Sequence, residues 1–186
     1  MKTAIKSIPI VLFSFLLLTA CSQESSEQEQ AGGNGSVETP AEDLSEQNDI
    51  IQNATFTDLD GNTVNLSDFE GKLVLIDFWE SWCGPCLQVF PAMEDLRDEY
   101  PDQFEVLAVT VGLTEGPEEA KQFAEENGYP FTWLYDEDGL FEKLGGTGIP
   151  FKAYIDPDGE LIEIEMGSRG REGDYNNTKA KIENYF

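Results

Sequence analysis

The sequence predicts an α/β domain built on a central mixed sheet with helices on both faces. Three observations carry that prediction. Strand-like apolar runs alternate with helix-like amphipathic stretches between residues 73 and 135. The run Leu73-Val74-Leu75-Ile76-Asp77-Phe78-Trp79 is apolar nearly throughout, as a strand covered on both faces should be. Phe151–Ile155 and Leu161–Met166 then flank Asp156-Pro157-Asp158-Gly159, the turn chemistry of an antiparallel hairpin. At 186 residues, one domain with a small appendage is expected.

Residues 1–20 have the parts of a secretory signal. Lys2 and Lys6 precede an apolar core from Ile8 to Leu18, and small residues Thr19-Ala20 follow it. That core is too short to span a bilayer comfortably, which takes about 20 residues. Residues 21–49 are mostly Gln, Glu, Ser, Gly and Asn, too polar to bury a core, and are expected to form a flexible tether. A coil of this length reaches roughly 30 Å. The folded domain is expected over 50–186.

Within that domain, Ala54–Thr57 and Val64–Leu66 alternate by side chain around Asp60-Gly61-Asn62, which predicts a first hairpin. Ser67–Lys72 is a turn into the central strand. A helix follows from Gly84 to near Tyr100. Its core stripe is Leu87, Phe90, Met93, Leu96 and Arg97, with Glu94, Asp95, Asp98 and Glu99 in water and a kink at Pro91. Val106–Val111 is the next buried strand. Pro117–Asn127 reads as a helix, with Pro117 in its first turn and Gly128 just past its end. Phe131–Tyr135 is a short strand, Leu140–Leu144 a helical turn, and Tyr175–Tyr185 a terminal helix.

Eleven basic residues stand against 37 acidic ones, a net charge of −26. Such a surface repels nucleic acid and anionic head groups, which excludes nucleic-acid binding and favours basic partners.

The chemistry sits in Trp82-Cys83-Gly84-Pro85-Cys86, where the central strand hands over to the helix. Two thiols at i and i+3 make a dithiol that closes into a disulfide. The first backbone N–H groups of a helix are unpaired and carry about half a positive charge. A thiolate there is stabilised, and the thiolate is the reactive form. Cys83 is therefore read as the exposed nucleophile and Cys86 as the more buried resolving thiol, with Pro85 suited to the first turn. A zinc site is the alternative, but tetrahedral zinc needs four ligands. The chain has no His, and its only other cysteine is Cys21. No metal and no cofactor beyond the Cys83–Cys86 disulfide is expected. Asp77 interrupts an apolar strand, where an unpaired carboxylate is costly and its pKa is pushed upward.

Leu18-Thr19-Ala20-Cys21 resembles the lipobox of bacterial lipoproteins, which implies cleavage before Cys21 and a lipid on its sulfur. From about residue 53 onward the chain resembles thioredoxin-fold proteins, and within them the membrane-anchored TlpA/ResA-type thiol-disulfide oxidoreductases. The resemblance is carried by Phe56–Gly61, Leu66–Lys72, Asp77–Cys86, Gly148-Ile149-Pro150 and Tyr154–Gly159. It implies a thioredoxin fold with an N-terminal β-hairpin and a central TlpA-type insertion around Pro117–Leu134. It also implies that Pro150 is a cis-proline facing the cysteines, with Ile149 turned outward to pair with substrate and Gly167 keeping that surface flat. Trp82, Gly84 and Pro85 would support the active site, and Asp77 would assist proton transfer at Cys86. Three departures stand out. Val89 occupies a position where such proteins often carry an acid. Phe151 follows the proline where Thr is frequent, and Ala108 aligns with the lysine that pairs with the buried acid in thioredoxin. Glu80, beside the motif, is read as an exposed acid, with tuning of the thiols or substrate recognition as the other reading.

The implied function is a lipid-anchored disulfide reductase on the extracytoplasmic face of a bacterial cell membrane. It would be a monomer acting on disulfide-containing envelope proteins and re-reduced by a membrane electron donor. A peroxiredoxin-like thiol peroxidase and a non-enzymatic docking or chaperone-like lipoprotein are the competing readings. Peroxidases place Thr three residues and Pro seven before the reactive cysteine, where this chain has Glu80 and Ile76.

Overall fold

The computed structural model describes the backbone of residues 37–39 and the whole of residues 44–186. The signal segment 1–20, the lipobox Cys21 and the tether over 21–36 and 40–43 lie outside the described residues. An eight-stranded sheet runs through the domain in the order β1-β8-β7-β4-β5-β6-β2-β3. Its strands are β1 (Val37–Thr39), β2 (Thr55–Asp58), β3 (Thr63–Asn65), β4 (Leu73–Trp79), β5 (Phe104–Thr110), β6 (Thr132–Tyr135), β7 (Phe151–Ile155) and β8 (Leu161–Met166). The helices are α1 (Ser45–Gln52), α2 (Gly84–Glu99), α3 (Pro117–Asn127), α4 (Leu140–Lys143) and α5 (Gly170–Tyr185).

The sheet is mixed, as the α/β reading requires. β4 pairs parallel with β5, and β5 with β6, because α2 and α3 supply the crossovers. β7 and β8 return antiparallel, with β7 beside β4. The first hairpin, β2–β3, extends the far edge by pairing β2 with β6. The predicted insertion is thus α3 and β6, which widens the sheet and gives that hairpin an edge to join.

Side-chain alternation along β4 divides the core between the two faces. Val74, Ile76 and Phe78 meet Ile51 of α1 and Leu140, Phe141 and Leu144 around α4. Leu73, Leu75 and Trp79 meet Phe90, Met93 and Leu96 of α2 and Ile182 of α5. Phe90 is fully buried among rings, with centroids 5.1 Å from Trp79, 5.4 Å from Phe131, 5.5 Å from Tyr129 and 5.7 Å from Trp133. Val89, the position of the missing acid, is also fully buried in this cluster.

Two boundaries differ from expectation. Structure begins before residue 50: β1 adds to the edge of β8, and α1 opens at Ser45 inside the expected tether. The polar composition hides two anchors, since Leu44 and Ile51 are buried. Asn48 fixes the helix further, accepting from the Leu161 N–H at 2.8 Å and donating to Glu160 at 2.7 Å. The last helix starts at Gly170 rather than Tyr175. Its extra turn carries Asp174, whose burial a solvent-facing reading of the segment does not anticipate.

Candidate active site

The cysteine motif forms where β4 ends. Glu80-Ser81-Trp82 makes the turn, closed by the Cys83 N–H donating to the Glu80 carbonyl at 3.0 Å. Cys83 is the N-cap of α2, and its Sγ accepts from the Cys86 N–H at 3.2 Å. The two cysteines are joined in a disulfide, with Cα atoms 5.3 Å apart. The first-turn amide of Cys86 thus points at the sulfur on which a thiolate would form. Trp82, Gly84 and Pro85 lie at the surface around the pair. Cys83 itself is less open than expected: 4% of it is accessible in the disulfide form, against none of Cys86. Both cysteines are buried because they pack into the α2-side cluster with Trp79 and Ile149.

Ile149–Pro150 is a cis peptide. Pro150 is buried, and Ile149 packs against both core clusters, including the one that holds the cysteines. Gly167, at φ +90°, donates its N–H to the Pro150 carbonyl at 2.8 Å, so the glycine region braces the proline from β8. No backbone hydrogen bond to another described residue engages the N–H or C=O of Ile149.

Asp77 is fully buried, and neither carboxylate oxygen has a hydrogen-bond partner among the described residues. It shares the α2 face of β4 with Leu75 and Trp79. Burial pushes its carboxyl up to about 8, against which the nearby Lys152 pulls down and Asp174 pushes further up. On β5 its register partner is Ala108, as the alignment implied. On β7, however, it faces Lys152. Sequence reasoning missed this lysine, although it interrupts an apolar strand just as Asp77 does. Lys152 is fully buried, 2.9 Å from Glu165 of β8 and 2.8 Å from Asp174 of α5. Burial opposes its charge, but Tyr154, Glu165 and Asp174 outweigh that and hold the ammonium protonated.

Glu80 is the clearest correction. It is fully buried rather than exposed, and burial raises its pKa. The reason is a second loop, Val111–Gly116, that closes over it. Leu113 donates its N–H to Glu80 at 2.8 Å, Ser81 donates its N–H to Glu115 at 2.7 Å and its hydroxyl to the same carboxylate, and the Trp82 indole donates to Thr114 at 2.8 Å. These bonds hold the turn that carries Trp82, 55% exposed and next to Cys83, to the loop that carries Leu113, 54% exposed. The sequence signal was a charged residue placed directly after a fully buried strand.

The redoxin family model matches residues 46–182. The thiol-disulfide oxidoreductase ResA of Oceanobacillus iheyensis is 38% identical over 113 residues, covering 60% of this chain and 58% of that protein. ResA of Bacillus thuringiensis subsp. konkukian is 31% identical over 136 residues, covering 72% of this chain and 73% of its own. Among solved structures, the exposed lipoprotein thioredoxin of Streptococcus pneumoniae superposes with a TM-score of 0.57 at 30% identity, covering 68% of this chain and 98% of that one.

Proposed function

The chain belongs to the redoxin family, and on that footing we propose that it is a thiol-disulfide oxidoreductase that reduces protein disulfides outside the cytoplasm. One observation carries the reading: a Cys83–Cys86 disulfide at the N-terminus of α2, packed against the cis-proline segment. In the reduced protein, the Cys83 thiolate attacks one sulfur of a substrate disulfide, forming a mixed disulfide and releasing the other sulfur as a thiolate. Cys86 then loses its proton to Asp77 and attacks Cys83 Sγ. The second substrate sulfur leaves as a thiolate, and the Cys83–Cys86 bond remains. Two electrons pass from the dithiol to the substrate. A membrane electron donor restores the dithiol.

The half-buried Ile149 and the adjoining Pro150, braced by Gly167, dock the substrate backbone through the Ile149 N–H and C=O, with the exposed Trp82 as an apolar wall. The Gly84-Pro85 pair, which resembles reducing thioredoxins, favours reductase over oxidase. Leu18–Cys21 supports a lipid anchor at Cys21, and the pneumococcal structural relative is itself described as a lipoprotein. Among the described residues no helix is long and apolar enough to cross a membrane. Dithiothreitol-driven insulin reduction by the purified protein tests the reading. Activity that needs both Cys83 and Cys86 is expected. Peroxide consumption without insulin reduction would place the chain with thiol peroxidases instead.

A further inference from the structure

Lys152, Glu165 and Asp174 form a fully buried ionic cluster that the cysteine chemistry described above does not use. Its position gives it a purpose. Phe151, Ala153 and Ile155 of β7 point to the α1 side of the sheet, so Lys152 points with Tyr154 to the α2 side, the face that holds Asp77 and Cys86. Asp77 and Lys152 are directly opposed across an antiparallel pair, which sets their Cβ atoms about 4.5–5.5 Å apart. A carboxylate and an ammonium so placed would ordinarily bond. Here the lysine is engaged elsewhere, at 2.8 Å by Asp174 and 2.9 Å by Glu165, while neither Asp77 oxygen has a hydrogen bond among the described residues.

Asp174 is held in turn. Its second oxygen accepts from the Ser168 hydroxyl at 2.6 Å, and both oxygens accept from the Arg169 N–H at 3.2 Å. Glu165 is approached at 3.4 Å by Arg169 and at 3.5 Å by Lys181. Asp77 is thus opposed by Lys152 of β7 and Ala108 of β5, and the charges that act on it are Lys152 and Asp174 of α5.

We propose that Asp174 is a positioning residue for the dithiol reaction: it claims the ammonium of Lys152 and so leaves Asp77 free to hold and exchange the proton that moves at Cys86. The proposal rests on the role given to Asp77 above. If Lys152 bonded Asp77 directly, the carboxylate would stay ionised and would be a weaker base toward the thiol. With Asp174 competing, the Asp77 carboxylate is a stronger base, able to take the Cys86 proton and give it back, as the direction of its titration agrees. A residue 97 positions along the chain, on the last helix, thereby sets proton transfer at the active site.

The test is the pH profile of mixed-disulfide resolution, measured in single turnover on the full chain. Asp174→Asn should move the inflection attributable to Asp77 downward by about one pH unit or more, a tenfold change in its proton equilibrium. Lys152→Met should move it upward, and Asp174→Glu should restore the original profile. A merely structural role would not shift the two variants in opposite directions. Inflections that move together, or not at all, overturn the proposal. Asp77→Asn is the control. If it leaves resolution unchanged, the role of Asp77 fails. If it slows resolution while Asp174→Asn and Lys152→Met leave the inflection in place, only the present inference fails. Should a variant not fold, a carbon-13 titration of the Asp77 carboxyl in the unmodified protein decides the matter. A midpoint well above the ordinary aspartate range is required, and one within that range refutes the withheld cation.

Discussion

Replacing Asp77 with Asn should make the protein more stable at neutral and alkaline pH, by an amount the structure bounds. The Asp77 carboxyl titrates near 3.8 when the chain is unfolded and near 8 when folded. Between those values the unfolded chain has given up this proton and the folded chain has not. Stability is therefore fully present below pH 4 and is lost progressively as the pH rises towards 8. The window spans about four pH units at about 1.4 kcal/mol each, so the loss at its upper end is of order 5 kcal/mol. That is a large share of the 5–15 kcal/mol by which domains are stable. Asparagine cannot ionise, so the variant escapes the loss. It keeps an unpaired buried amide, which costs about 1–3 kcal/mol at every pH. The expected result is a variant near or below wild type at pH 4 and about 2–4 kcal/mol above it at pH 8. Urea unfolding of the oxidised proteins at pH steps from 4 to 9 measures this. Parallel stability curves across that range would mean that Asp77 is solvated or already paired, and the proton-transfer role would lose its basis.

Four further outcomes are expected. In the reduced protein Cys83 should alkylate before Cys86, since it alone keeps accessible surface; equal rates would remove the assigned division of labour. Phe90→Ala should cost about 3–5 kcal/mol in chemical unfolding, because it empties the centre of the aromatic cluster over β4. Glu80→Ala should cost about 1–3 kcal/mol by stranding the Leu113 N–H, whereas Glu80→Gln, which keeps an acceptor, should cost less; equal costs would show that the loop does not depend on this bond. Cys21→Ala should release the protein from membranes without altering insulin reduction by the folded domain, and wild-type protein recovered wholly in the soluble fraction would refute the anchor.

The site was legible where chemistry is local. Cys83 and Cys86 declare themselves by spacing, and Asp77 by interrupting a strand whose other residues are apolar. The same rule applied to β7 would have found Lys152. Its partners were out of reach, however, because Glu165 lies on the next strand and Asp174 on a helix whose first turn reads as exposed. Glu80 was misread for a related reason: the loop that buries it lies about 33 residues further on, and no pattern beside Glu80 announces Leu113. The strands and helices of 73–166 followed from periodicity. α1 did not, because its buried apolar anchors, Leu44 and Ile51, stand within a polar stretch.

If Cys83 attacks a substrate disulfide and Cys86 resolves the product, loss of Cys86 should trap the intermediate. Reduced Cys86→Ser protein is mixed with a disulfide substrate, quenched with acid and weighed intact by mass spectrometry. A stable one-to-one mixed disulfide that peptide mapping places on Cys83 is expected, with no such adduct in Cys83→Ser. An adduct on Cys86 in the Cys83→Ser protein, with none from Cys86→Ser, would contradict it.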